Sequence, residues 1–160
     1  MFINYPLQTE PGSNPEVRHL AIIGGQVWAS GWAGTFRFEA DCQCFKHPDL
    51  GRQAVGIFKQ SAAFIKQDGQ GRYWVGTTAQ GLYILSSSFE VLRRVERLPD
   101  EPPPGHAPRF EQLVFAGQSV FAATYGHGVL QMDTEGEILA RWHSEHLQAQ
   151  QRLSSNRVRT

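Results

Sequence analysis

The sequence has little cysteine and little methionine, two of each, and no excess of either charge: fifteen Lys and Arg balance fifteen Asp and Glu. A neutral chain has no electrostatic drive toward nucleic acid or anionic lipid, so no nucleic-acid partner is expected. Long apolar runs are absent; none approaches the roughly 18 residues that span a bilayer. The start, Met1-Phe2-Ile3-Asn4-Tyr5-Pro6, lacks the basic segment and apolar stretch of a secretory leader, which leaves a cytosolic chain or a piece of something longer. Cys42 and Cys44 stand two apart, so on a strand they share one face and a bond between them is strained; two small strand residues are expected. With His47 and Asp49 they make a loose C-x-C-x-x-H-x-D cluster, too poor in ligands for a metal, and no cofactor is expected.

What is present is a repeat. Trp28 is followed by Ala29-Ser30-Gly31, a short loop and Gly34. Trp74 is followed by Val75-Gly76-Thr77, a short loop and Gly81. Phe121 is followed by Ala122-Ala123-Thr124, a short loop and Gly128. The aromatic anchors are 46 and 47 residues apart, and the first copy is one residue shorter between anchor and glycine. Ser13-Asn14-Pro15-Glu16-Val17 before the first copy matches Ser155-Asn156-Arg157-Val158 at the end, and Val17 to Val158 is 141 residues, three periods of 47.

Each unit reads as four short strands, a to d. In the second, Ala63-Phe64-Ile65-Lys66 is followed by Tyr73-Trp74-Val75-Gly76, Leu82-Tyr83-Ile84-Leu85 and Glu90-Val91-Leu92-Arg93-Arg94. Asp68-Gly69-Gln70-Gly71 and Thr134-Glu135-Gly136-Glu137 read as turns whose glycines supply positive φ, and Gly24-Gly25 as a tight turn. In the first unit Cys42-Gln43-Cys44-Phe45 is the fourth strand. A single four-stranded sheet buries too little, whereas sheets stacked face to face bury an aromatic layer, and small residues after the anchor let sheets approach. The fold class is therefore all-β: a β-propeller segment of three four-stranded antiparallel blades plus the start of a fourth. One segment spans 1–160, with blades at about 17–48, 61–98 and 109–146 and the opening of a fourth at 153–160. Residues 99–108, rich in proline, form the longest blade connection, a stiff bridge in the polyproline range.

The second unit, from Ile65-Lys66-Gln67-Asp68-Gly69 through Trp74-Val75-Gly76-Thr77 to Gly81-Leu82-Tyr83, resembles the two-component regulator propeller repeat. Leu153-Ser154-Ser155-Asn156-Arg157-Val158 is similar to the lead-in of that repeat. Ala29-Ser30 and Ala122-Ala123 stand where the family usually has Gly-Thr. The resemblance implies the extracytoplasmic, periplasmic input region of bacterial hybrid histidine kinases or diguanylate cyclases, a sensor that binds a small molecule, often a saccharide, or makes dimer contacts. Three blades do not close a ring of the usual four to eight, so further blades or a second copy of the chain are expected to complete it.

Propeller ligands bind at one face, built by the b–c loops and blade starts. Trp32 and Tyr125 offer rings for stacking on a sugar or planar ligand, Thr78, Gln80 and His127 hydrogen bonds, and Arg18 and Arg109 charge for an anion. Asp68 reads as turn chemistry rather than a calcium ligand, and His143-Ser144-Glu145-His146 has the wrong spacing for a zinc motif. No nucleophile–base–orienter set stands out. The expectation is a non-catalytic sensing or interaction module. The alternatives are a scaffold for protein–protein contact or dimerisation, and a fragment of a propeller lyase or glycosidase.

Overall fold

A computed structural model of the chain describes residues 5–50, 52–99 and 107–143. Twelve strands form three antiparallel four-stranded meanders. The first blade holds β1 (Val17–Ile23), β2 (Gln26–Gly31), β3 (Gly34–Glu39) and β4 (Cys44–Lys46). After helix α1 (Arg52–Phe58), the second holds β5 (Ala62–Gln67), β6 (Tyr73–Thr77), β7 (Leu82–Leu85) and β8 (Val91–Val95). The third holds β9 (Arg109–Ala116), β10 (Ser119–Tyr125), β11 (Gly128–Asp133) and β12 (Ile138–Trp142). These are three blades of a propeller. The start of a fourth at 153–160, the near-zinc motif beyond His143 and most of the proline-rich stretch lie outside the described residues.

The sheets stack through two apolar layers. Between the first two blades, Ile23 and Trp28 pack on Ala62, Ile65, Val75, Tyr83 and Leu85. Between the second and third, Phe64, Trp74, Leu82 and Ile84 meet Phe110, Leu113, Val120, Ala122, Leu130 and Met132. Gly76 leaves room for the ring of Phe64, its cross-strand partner within the second blade: a Cβ there would sit 2.3 Å from it. The middle blade is covered on both sides, so every residue of β7 is buried, while β11 alternates between buried and half-buried.

Four sequence expectations are corrected. Cys42 and Cys44 are joined in a disulfide (Cα–Cα 5.2 Å). An extended chain sets residues two apart by about 6.6 Å, but Gln43 has φ 48°, so the backbone curls and brings the sulfurs together. For the same reason the fourth strand begins only at Cys44. The longest blade connection is not 99–108 but residues 47–61, which carry α1; Ala54, Ile57 and Phe58 of that helix fill the first apolar layer. Finally, Gly71 but not Gly69 takes positive φ in the a–b turn of the second blade. Ahead of the first blade, residues 6–8 run along β4, with Gln8 N–H donating to the Phe45 carbonyl (2.8 Å) and Phe45 N–H to the Pro6 carbonyl (2.9 Å), which covers that sheet edge.

The repeated glycine has a steric cause. Gly81 (φ 85°) and Gly128 (φ 81°) open the third strand of their blades, and a Cβ would fall 2.1 Å from the Val95 carbonyl oxygen and 2.0 Å from that of Trp142. Each glycine carbonyl also accepts a bond from the threonine ahead of the loop, Thr77 Oγ1 at 2.8 Å and Thr124 Oγ1 at 2.7 Å. Gly81→Ala combines positive-φ strain with a backbone clash and is expected to cost about 2–4 kcal/mol, measured by urea unfolding; a loss below about 0.5 kcal/mol would remove this account of the repeat.

Asp68 organises the a–b turn of the second blade. Its carboxylate accepts the N–H groups of Gln70 and Arg72 (both 2.9 Å), Arg72 Nε (2.8 Å) and Trp74 Nε1 (2.9 Å). Arg72 then crosses to the third blade, donating to Glu135 (2.9 Å) and the Thr134 carbonyl (2.6 Å). Burial pushes the Asp68 carboxyl up, but the bonds from Trp74, Arg72 and Gln70 outweigh it and hold it below its ordinary value. Asp68→Ala strands a buried indole N–H and a guanidinium, an expected loss of about 2–4 kcal/mol in chemical unfolding. Because the folded carboxyl is depressed, its contribution is complete above the unfolded value near pH 4 and fades as pH falls through the folded value. Asp68→Asn should therefore flatten the acid limb of the stability curve; an unchanged limb would place the acid sensitivity elsewhere.

Candidate functional site

The b–c loops and the starts of the first strands lie at one end of the blades. Trp32 N–H donates to the Glu16 carbonyl (3.1 Å), and Thr78 N–H to the Ser61 carbonyl (3.0 Å), so each loop is tied to the chain entering its own blade. At this end Trp32 is 41% exposed. Arg18 of β1 lies over its ring at 5.5 Å, and Arg109 of β9 at 5.8 Å. Arg109 also lies over Tyr125 at 5.3 Å. Glu111, two residues along β9, pairs with both guanidiniums. Four of the seven residues singled out from sequence, Arg18, Trp32, Arg109 and Tyr125, thus form one cluster bridging the first and third blades.

The other three have local work. Thr78 Oγ1 donates to the Ser61 carbonyl (3.4 Å). Gln80 Oε1 accepts from the Tyr83 hydroxyl (2.8 Å), and its carbonyl accepts from Arg94 Nε (2.9 Å). The His127 carbonyl accepts from Arg141 Nε (3.1 Å). The last two bonds are one feature repeated: residues 80 and 127, and 94 and 141, are each 47 apart. That spacing was a signal available in the sequence.

Trp32 also borders a cleft of about 200 Å³ lined by Glu10, Ser13, Trp32, Ala33, His47 and Lys59. This cleft is below the roughly 300 Å³ of typical small-molecule pockets, a space for one ring with the rest of a ligand outside. Its polar walls are partly paired, Lys59 donating to Glu10 at 2.7 Å. His47 stacks on Phe36 (4.3 Å between centroids) and its Nδ1 lies 3.0 Å from the Thr35 carbonyl. Burial lowers the pKa of His47 more than the Thr35 bond raises it, which favours the neutral ring. Sequence reading missed Glu111, Lys59 and Glu10. Glu111 is recoverable, since residues two apart on a strand share a face with Arg109; Lys59 and Glu10 come from segments without repeat signal.

No family model and no curated protein matches the chain. Solved structures share its fold. The extracellular domain of BT4673, a putative hybrid two component system of B. thetaiotaomicron, superposes with TM-score 0.62 at 13% identity over 84% of this chain and 20% of that one. PorZ, a surface component of the type-IX secretion system of Porphyromonas gingivalis, gives TM-score 0.57 at 19% identity over 76% of this chain and 18% of its own. The computationally designed Ika4 protein gives TM-score 0.56 at 12% identity over 97% of this chain and 86% of its own. The chain spans about a fifth of the length of that extracellular domain. The fold is thus shared with the extracellular domain of a putative hybrid two component system. Among the described residues no helix is long and apolar enough to cross a membrane.

Proposed function

We propose that the chain is a non-catalytic, ligand-sensing propeller module of a bacterial signal-transduction protein, with a polar, saccharide-type ligand seated against Trp32. The observation that carries this is the partly exposed indole on the loop face, 41% exposed, with two guanidiniums over its ring and a polar cleft beside it. A sugar ring presents C–H groups to an indole face and hydroxyls to its surroundings, and Arg18, Arg109, Glu111 and Glu10 are the polar partners within this region. An extracytoplasmic location is supported by the Cys42–Cys44 disulfide, which persists in an oxidising compartment. The similar domain of a putative hybrid two component system, itself extracellular, supports it too. The scaffold alternative draws on a different observation, the exposed apolar side chains at both ends of the stack.

A thermal-shift screen of mono- and oligosaccharides tests the proposal, since a ligand that binds only the folded state raises the melting temperature. Trp32→Ala should weaken binding of a hit about tenfold or more, the equivalent of one lost stacking contact of about 1.4 kcal/mol. Thr78→Ala, whose hydroxyl serves Ser61, should leave affinity unchanged. A hit that survives Trp32→Ala would place the site elsewhere, and a screen without hits would favour the scaffold.

A further inference from the structure

The three sheets repeat one register, and that register says which way each side chain faces along the stack. Leu20, Ala29 and Phe36 form a cross-strand row in the first blade. Ile65, Val75 and Tyr83 form the same row in the second, and Leu113, Ala122 and Leu130 in the third. In the second and third blades this row packs against the preceding blade. The anchors Trp28, Trp74 and Phe121 lie on the opposite face, and Trp28 and Trp74 pack against the following blade. Trp28 is 6.0 Å from Tyr73 of the second blade, and Trp74 is 5.6 Å from Phe115 of the third.

Among the described residues the stack therefore ends in two faces of opposite kind, each partly open: on the first blade's front Ala29 and Phe36 are buried, Phe36 stacking on His47, while the first-strand side is exposed. On the front of the first blade, Leu20 is 64% exposed where its counterparts Ile65 and Leu113 are 0%. Ile22 at 78% and Val27 at 36% extend the patch. On the back of the third blade, Phe121 is only half-buried where Trp28 and Trp74 are 2% and 0% exposed, and Val114, paired with it on β9, is 53% exposed. Position by position, Ile22 matches Phe115 and Val27 matches Tyr73, the residues that receive the anchors at the two filled interfaces.

We infer that these two faces dock on each other between two copies of this chain, the back of each third blade on the front of its partner's first. Phe121 of one copy then sits against Ile22 and Val27 of the other. Two copies give six blades, within the four to eight that close a ring, and the contact repeats twice about a twofold axis that coincides with the ring axis. The occupant is a second copy because one chain carries both halves of the contact, in the register its own blades already use. The inference is independent of the saccharide: a dimer that binds no sugar upholds it, and a sugar-binding monomer overturns it.

The 160-residue chain should sediment and scatter light as a species of twice 17.9 kDa. Ile22→Glu and Val114→Lys alter side chains that are exposed in the single chain, so both variants should keep the wild-type circular dichroism while dimer dissociation rises roughly 100-fold or more. Mixed together they should recover a heterodimer, because one of its two contacts pairs Glu against Lys and the other is native. The double variant Ile22→Cys, Phe121→Cys should oxidise to a covalent dimer, whereas neither single variant should. The two native cysteines already bond to each other and do not interfere. A wild-type chain that stays monomeric at about 100 µM would overturn the inference. So would a dimer untouched by Val114→Lys, which means contact through the first blade alone, or an open polymer, which means contacts that fail to close.

Discussion

A four-stranded sheet with apolar residues on both faces is stable only when each face has a neighbour, and the rest of this molecule follows from that constraint. Burying one large apolar side chain is worth about 1.5–3 kcal/mol. The second blade alone buries Phe64, Ile65, Trp74, Val75, Leu82, Ile84 and Leu85 at no more than 1% exposure. It does so because it has a sheet on each side. On the outer faces of the first and third blades, by contrast, Leu20 and Val114 stay exposed. The difference lies in position along the stack rather than in composition.

The polar groups of the repeat make the stacking possible without taking part in it. Thr77 and Thr124 anchor the b–c turns through glycine carbonyls, and those glycines give the last strand of the blade room to approach. Arg94 and Arg141 fasten the fourth strand to the loop carbonyls of Gln80 and His127. Asp68 and Arg72 go further and link neighbouring blades, but only between the second and third. The third blade has no such aspartate at its own a–b hairpin, which turns on Gly117 (φ 61°). The second and third units therefore keep the same glycine and hydroxyl, the first pairs Ser30 with Thr35 instead, and inter-blade polar links vary.

What the sequence made legible was whatever the repeat enforces. The anchor spacing, the alternating strands and the b–c glycines all carry a 47-residue period, so twelve strands and their order could be read from residues alone. Among the described residues helix α1 has no counterpart in the other units, and it has no acidic residue in its first turn, so nothing announced it, although Phe58 is as buried as any anchor. The disulfide was missed because it depends on one backbone angle at Gln43, a property of the turn rather than of cysteine spacing. At the loop face, the sequence named the right loops but could not separate side chains at work within a blade from those facing outward. Thr78 and Gln80 looked equivalent to Trp32 until their bonds to Ser61 and Tyr83 were in view. The cluster itself joins β1, β9 and two loops, and residues 93 apart such as Arg18 and Glu111 meet only through the curvature of the stack.

That curvature gives the loop face its meaning. The first and third blades share no apolar layer, since each packs on the second. They touch through Arg18 on Glu111 and through Trp32 beneath Arg109. Partly exposed ion pairs contribute about 0–1 kcal/mol each, against several kilocalories for each buried aromatic layer, so this cluster cannot set the angle between blades. It must follow the angle that the apolar layers impose. The spacing of Arg18, Trp32 and Arg109 is thus a readout of how tightly the blades are wound. Any ligand held at Trp32 contacts a place where non-adjacent blades meet.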